Sequence, residues 1–166
     1  IYYLVIILIL SKNKHYYLIL ILLIFHKTIP LYNSNLEVVM FDVGEADSML
    51  ISTPSKKVNI LIDTGRGIDI NNIIIYLKSI GISKLNYLII THGDEDHIGG
   101  ALYLIDNFKV DNVILNKGDY TELEVELITH LKNKNIKYTN NINKIPLLGS
   151  YMYLLNTKEF SNENDN

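Results

Sequence analysis

The sequence predicts an α/β domain in which short strands come first and then alternate with helices. Between residues 36 and 62, three β-rich runs are separated by turn residues, which is typical of a strand meander. From residue 69 onward, apolar positions at helical spacing alternate with short apolar runs, which is typical of a layered α/β arrangement. We therefore expect one layered domain over residues 36–166, preceded by a linker and an apolar segment.

The expected elements follow from apolar periodicity and from turn signals. Strands are predicted over residues 36–41, 48–52, 57–62, 86–90, 110–115, 136–139 and 151–155. Helices are predicted over residues 69–80, 100–108 and 121–133. The core positions of the first helix are Ile70, Ile73, Ile74 and Leu77, and those of the last are Leu123, Leu127, Ile128 and Leu131.

The first 25 residues are apolar except for a polar interruption that contains Lys12 and Lys14. One span over both apolar blocks would bury these lysines at roughly 2.5–3.5 kcal/mol each. Residues 16–25 behind the lysines instead suit a signal anchor, which stays uncleaved because no Ala-x-Ala site follows. Two alternatives are that residues 1–10 end an earlier membrane helix or that the segment is a buried helix of a soluble domain.

Residues 26–35, with Pro30, are interpreted as a linker. Because Lys12 and Lys14 precede the apolar run, the positive-inside rule places the amino end in the cytoplasm. We therefore expect membrane anchoring through residues 1–25, with the domain that follows the linker extracellular.

The composition excludes several classes of site. The 166-residue chain has a formal net charge of −3, so no basic field indicates nucleic-acid binding. It contains no cysteine, which excludes disulfides and thiolate metal sites. Any metal site must therefore use nitrogen and oxygen ligands.

Four potential metal ligands lie within six residues, directly after the predicted strand 86–90: His92, Asp94, Asp96 and His97. The carboxyl end of a strand is where open α/β sheets place their chemistry. Imidazole and carboxylate together suit zinc, manganese or iron. A solvated acidic turn is the alternative interpretation, but two histidines that bracket two aspartates favour a metal site.

Three motifs occur in order: Asp42-Val-Gly-Glu-Ala-Asp-Ser48, Leu61-Ile-Asp-Thr-Gly65 and Thr91-His-Gly-Asp-Glu-Asp-His-Ile-Gly-Gly100. Together they resemble the metallo-β-lactamase superfamily, and within it the branch related to the ComEC-type DNA-uptake channel. The resemblance implies an αββα sandwich, of which residues 36–166 would supply only the N-terminal half. It also implies two divalent metal ions, zinc or manganese.

The resemblance implies a role for each residue of the third motif. His92 and Asp94 would hold one metal, while Asp96 and His97 would hold the other. Asp96 would in addition be the catalytic residue that orients or deprotonates the attacking water. Asp94 stands where most of the superfamily has a histidine, as in the ComEC-type branch.

Other residues are assigned more modest roles. Asp63 resembles the strand-end aspartate that supports the ligand loop, although a turn aspartate capping the following residues is an alternative. Asp42 and Asp47 resemble framework residues without chemistry of their own. The stretch 65–67 is a weak candidate for a phosphate cradle. His130, the only histidine after His97, is interpreted as a surface or half-buried residue of the last helix.

The implied activity is metal-dependent hydrolysis, of phosphodiesters in DNA outside the membrane, in a competence-type DNA-uptake role. A β-lactamase-like hydrolase of small molecules and a non-catalytic remnant are the alternatives. Family members draw further metal ligands from later segments, and in this branch another strand follows a segment like residues 161–166. The chain as given is therefore expected to be an incomplete domain without activity.

Overall fold

The computed structural model describes residues 35–155 and the single residue Ile21. Apart from Ile21 and Asn35, the predicted anchor at residues 1–25 and the linker at 26–35 lie outside the described residues. Among the residues that are described, no helix is long and apolar enough to cross a membrane.

The described part of the chain contains short strands and helices that alternate after an initial meander. In chain order they are β1 (Glu37–Met40), β2 (Met49–Ser52), a 3-10 turn (Pro54–Lys56), β3 (Asn59–Ile62), α1 (Ile70–Ser79), β4 (Lys84–Leu85), β5 (Tyr87–Ile89), α2 (Glu95–Ile98), α3 (Ala101–Asn107), β6 (Lys109–Val110), β7 (Asn112–Ile114), α4 (Glu122–Asn133), β8 (Lys137–Thr139), β9 (Lys144–Leu147) and β10 (Ser150–Tyr153).

The main sheet has six strands in the order β1-β2-β3-β5-β7-β8. β1, β2 and β3 pair antiparallel, as the predicted meander requires. β3, β5, β7 and β8 pair parallel, with α1, α3 and α4 in the connections between successive strands. The sequence prediction of an α/β domain is therefore confirmed, and the carboxyl ends of the parallel strands share one edge of the sheet.

The two faces of this sheet contact different layers, because side chains alternate along each strand. One face packs against the helices through Leu61, Leu88 and Val113, which are fully buried. The other face packs against the β9–β10 hairpin through Ile60, Ile89 and Ile114, which contact a cluster that includes Ile145 and Leu147. The described layers are therefore helices, a mixed sheet and a two-stranded sheet.

The helices confirm most of the predicted core positions. All four apolar positions predicted for α1 are buried, and each such side chain contributes about 1.5–3 kcal/mol of burial free energy. In α4, Leu127 and Leu131 are fully buried, but the prediction for Leu123 is wrong because this side chain is exposed. Glu124 is buried in its place, since its carboxylate accepts a hydrogen bond from the Thr121 amide in a capping box.

The strands differ from the sequence prediction in two places. The run 110–115 does not form one strand, because it breaks at Asp111 into β6 and β7. β6 pairs with β4 in a separate parallel sheet, and the Asp111 amide donates to the Leu85 carbonyl beside it. No sequence prediction covers residues 144–147, which form β9; Pro146 is tolerated here in a two-stranded pair.

Candidate metal centre

The candidate site is built where β3 and β5 end side by side. The amide of Asp63, the residue after β3, donates to the Ile89 carbonyl at the end of β5 over 2.8 Å. Parallel pairing therefore brings Asp63 next to Thr91 and His92, although 28 residues separate Asp63 from Thr91 along the chain. This juxtaposition places Asp63 beside the segment of candidate ligands.

The ligand segment contains a helical turn that the sequence did not predict. Asp94 is the N-cap of α2, and its carbonyl accepts from the His97 amide over 2.9 Å. Asp96 and His97 therefore lie on a helix and not on an extended loop. Thr64 anchors this turn, because its amide and hydroxyl both donate to the His97 carbonyl, at 2.7 and 2.9 Å.

Gly100 allows the turn to pack closely against the first helix. A Cβ atom at this position would lie 2.7 Å from Cβ of Ile70, which real side chains do not tolerate. The close approach requires glycine here, and it fixes the start of α3 against α1.

Asp63 is the centre of the hydrogen-bond network. Its side chain is 4% exposed. One carboxylate oxygen accepts from the Thr91 amide over 2.9 Å, and the other accepts from the Thr91 hydroxyl over 2.7 Å and from His97 Nδ1 over 2.9 Å. Burial raises the pKa of the Asp63 carboxyl above its ordinary value, while the hydrogen bonds from His97 and Thr91 act to lower it.

This network determines which nitrogen of each histidine is available. An ionised carboxylate only accepts, so Nδ1 of His97 donates to Asp63, and in the neutral imidazole the lone pair is on Nε2. The single hydroxyl proton of Thr91 is donated to Asp63, so His92 Nδ1, 3.1 Å from that hydroxyl, donates to it. In the neutral form of each imidazole, which is the form that binds metal, the lone pair then lies on Nε2.

The predicted ligands lie in pairs. His92 Nε2 is 3.7 Å from Asp94 Oδ2, and His97 Nε2 is 3.7 Å from Asp96 Oδ2. The two imidazole rings are stacked at a tilt, with centroids 3.7 Å apart. All four residues that the sequence singled out are therefore adjacent to one another.

Asp47 is a site residue that the sequence analysis assigned only to the framework. Its Oδ2 lies 3.7 Å from His97 Nε2, its amide donates to the Asp96 carbonyl, and its carbonyl accepts from the Gly65 amide. The sequence feature that could have identified Asp47 is its position just before β2. β2 pairs with β3, and Met49 lies opposite Ile62. That register brings Asp47 to the same end of the sheet as Asp63.

His130 lies away from this site. It is half-exposed on α4, and its Nε2 is 2.9 Å from a carboxylate oxygen of Asp106 on α3. The interpretation of His130 as a half-buried helix residue, and not as a ligand, agrees with this contact.

The chemistry of these residues fits a divalent cation such as zinc, because the donors are imidazole nitrogens and carboxylate oxygens. A carboxylate that holds the remote nitrogen of a ligating imidazole, as Asp63 does for His97, is a common support of metal sites. Across residues 35–155, however, no three His, Asp or Glu side chains converge as a metal-binding cluster. The described donors are thus arranged as pairs.

The motifs, the mixed sheet and the paired donors agree with the comparison to known families. The chain belongs to the metallo-β-lactamase superfamily, whose family model matches residues 41–149. A curated relative is ComE operon protein 3 of Bacillus subtilis (strain 168), which is 33% identical over 115 residues. The match covers 60% of this chain but only 15% of that protein. The resemblance to the ComEC-type branch is therefore confirmed.

Solved structures with partial similarity include two metallo-β-lactamases. The protein from Pontibacter korlensis has 15% sequence identity and a TM-score of 0.45, over 69% of this chain and 58% of its own. A HARLDQ motif mutant from Cronobacter sakazakii has 24% identity and a TM-score of 0.41, over 51% of this chain and 32% of its own.

Proposed function

We propose that this chain carries part of the metal site of a hydrolase that cleaves phosphodiester bonds of DNA at the outer face of a membrane. The observation that supports a metal site best is the Asp63–Thr91 network, which occupies Nδ1 of both His92 and His97 and leaves each Nε2 facing a carboxylate. Membrane placement rests on the apolar residues 1–25 and on the two lysines within them.

The proposed metal-binding residues are the two donor pairs, His92 with Asp94 and His97 with Asp96. Asp47 lies at the same distance from His97 as Asp96 does, so it is an additional candidate oxygen ligand. The chemistry that divalent cations supply in such sites is a lower pKa for the attacking water and stabilisation of charge on the leaving oxygen.

Asp96 is proposed as the catalytic residue. Its side chain is 39% exposed, so water reaches it, and its carboxylate faces the imidazole of His97. It sits in the first turn of α2, where its backbone carbonyl is held by the Asp47 amide. Held in this way, the carboxylate can accept a proton from a water molecule bound next to it. It can also orient a lone pair of that water oxygen toward a substrate.

DNA as the substrate is supported by the similarity to ComE operon protein 3 and by the motif resemblance to the DNA-uptake branch. Since the chain covers 15% of that relative, the test uses the product of the complete reading frame that contains residues 1–166. Purified protein with Zn²⁺ or Mn²⁺ is given a fluorescent DNA oligonucleotide and, separately, nitrocefin. The expected result is DNA cleavage that is lost in Asp96→Asn and kept in Asp106→Asn, with no nitrocefin turnover.

Two results would overturn this proposal. Nitrocefin turnover without DNA cleavage would favour a β-lactamase-like hydrolase of small molecules. No turnover of either substrate, with metal bound, would favour a non-catalytic binding module.

A further inference from the structure

The start of α4 contacts the metal-binding segment directly at Gly93, between His92 and Asp94. The Thr121 hydroxyl donates to the Gly93 carbonyl over 3.1 Å. This contact joins residues 28 positions apart in the chain. It comes from a different side of the site than Asp63, which holds His97 and Thr91.

The hydroxyl of Thr121 has a single proton, and its contacts determine where that proton goes. Its oxygen accepts from the Glu124 amide over 3.3 Å, so that contact does not use the proton. The contact of the hydroxyl with Glu124 Oε2 is long, at 3.5 Å, whereas the Gly93 carbonyl lies at 3.1 Å. The proton is therefore donated to Gly93.

Glu124 keeps Thr121 in place. It is fully buried, and its Oε2 accepts from the Thr121 amide over 3.0 Å. This reciprocal capping box fixes both the backbone and the side-chain rotamer of Thr121. The carboxylate is buried against the segment that binds metal, and it is not one of the solvent-exposed acidic groups of the helix.

The fit between the capping box and the segment requires a glycine. A Cβ atom at Gly93 would overlap the Thr121 hydroxyl and would lie 2.6 Å from Glu124 Oε2. The backbone of the segment therefore rests directly on the cap, with no side chain between them. Fixing the Gly93 carbonyl fixes the peptide that leads into Asp94, which joins the two residues whose Nε2 and Oδ2 lie 3.7 Å apart.

We propose that Thr121, backed by Glu124, is a positioning residue for the pair His92 and Asp94. The site then has a second support, the α4 cap at Gly93, beside the Asp63 network that holds His97 and, through Thr91, His92. This inference rests on the metal-binding role proposed above. It adds that the orientation of one donor pair depends on a residue outside the three motifs.

The test compares Thr121→Val, which removes the hydroxyl, with Thr121→Ser, which keeps it. The matched control is Ser52→Ala, which removes another buried hydroxyl hydrogen bond, to Asn59, at the opposite end of β3. Zn²⁺ affinity is measured by calorimetry on the 166-residue chain, and amide hydrogen exchange of His97 and Ile98 is measured without metal. Both amides donate to the Asp94 carbonyl, so they report on the order of the segment.

The expected result is a loss of Zn²⁺ affinity of about tenfold in Thr121→Val, with faster exchange of both amides. Thr121→Ser and Ser52→Ala should keep the affinity and the exchange rates of the unchanged chain. A merely structural cap would lower the melting temperature of Thr121→Val and leave affinity and exchange as they are, which would overturn the inference. If the unchanged chain binds no Zn²⁺, the metal-binding proposal fails. The exchange rates of the His97 and Ile98 amides then decide whether Thr121 orders the segment.

Discussion

Nδ1 of His97 lies 2.9 Å from a carboxylate oxygen of Asp63, a residue that is buried and has a left-handed backbone conformation with φ of 54°. Few residues other than glycine adopt this conformation, and aspartate and asparagine are among those that do. The conformation turns the carboxylate toward both Thr91 and His97. This one contact therefore links the end of β3 to the helical turn that carries two of the predicted ligands.

Asp63→Asn is expected to weaken metal binding while keeping the backbone, because asparagine tolerates the same φ. Asparagine has only one accepting oxygen, so it cannot accept from both the Thr91 amide and His97 Nδ1, and keeping the Thr91 bond turns its NH2 group toward the imidazole. We expect Zn²⁺ affinity to fall by about 10–100-fold, measured by calorimetry. Asp111→Asn, which removes a half-buried carboxylate paired with Lys84, is the control. Equal affinities in the two variants would contradict the role of Asp63.

His92→Ala and His97→Ala are both expected to lower metal content, because each removes one Nε2 donor. The fold should persist in both variants, as checked by circular dichroism. The two variants should differ in stability, because His97→Ala leaves the buried Asp63 with one hydrogen-bond partner fewer. This loss should lower the free energy of unfolding by about 1–3 kcal/mol. His92 contacts Thr91 and Asp94 at the surface, so its removal should cost less. Full metal occupancy in both variants would show that the ligand assignment is wrong.

The 166-residue chain alone is expected to bind at most one metal ion weakly and to show turnover near background. The described donors occur in pairs, whereas a catalytic zinc typically has three protein ligands. Metal analysis of the purified chain after dialysis, together with a nuclease assay, measures both properties. Two tightly held metals per chain, with turnover that disappears in Asp96→Ala, would refute this expectation.

The topology predicted from Lys12 and Lys14 places the domain outside the cell. In intact cells, added protease should therefore digest the domain. Cells that carry the same chain with Lys12 and Lys14 both changed to Glu provide a comparison, because the positive-inside signal is then removed. A domain that resists protease until the cells are lysed would contradict the proposed topology.

Asp106 should contribute to stability in a pH-dependent way. Hydrogen bonds from Lys134 and His130 hold the pKa of Asp106 below its ordinary value of 3.8. Because the folded-state pKa is the lower one, the contribution is present above pH 3.8 and is lost as the pH falls through the folded-state pKa. We expect the free energy of unfolding of Asp106→Asn, measured with urea, to fall less steeply in acid than that of the unchanged chain. The effect should be small, since the carboxylate is exposed, and parallel curves for both proteins would contradict it.

The sequence by itself determined the α/β class, the strand meander followed by alternating strands and helices, and the four donor residues within six positions. These features are local, since period-2 and helical patterns, turn residues and a short ligand motif are all written in neighbouring positions. The supporting role of Asp63 came from the motif resemblance, which places this residue at the end of a predicted strand.

Only the tertiary structure decided which residues surround those donors. Asp47 reaches His97 through the β2–β3 register, and Thr121 reaches Gly93 through the packing of α4. Glu124 is buried where the helical pattern predicts Leu123, because a capping hydrogen bond compensates for its desolvation. Contacts between residues far apart in the chain depend on how strands pair and helices pack, and that information is not contained in any one stretch of the sequence.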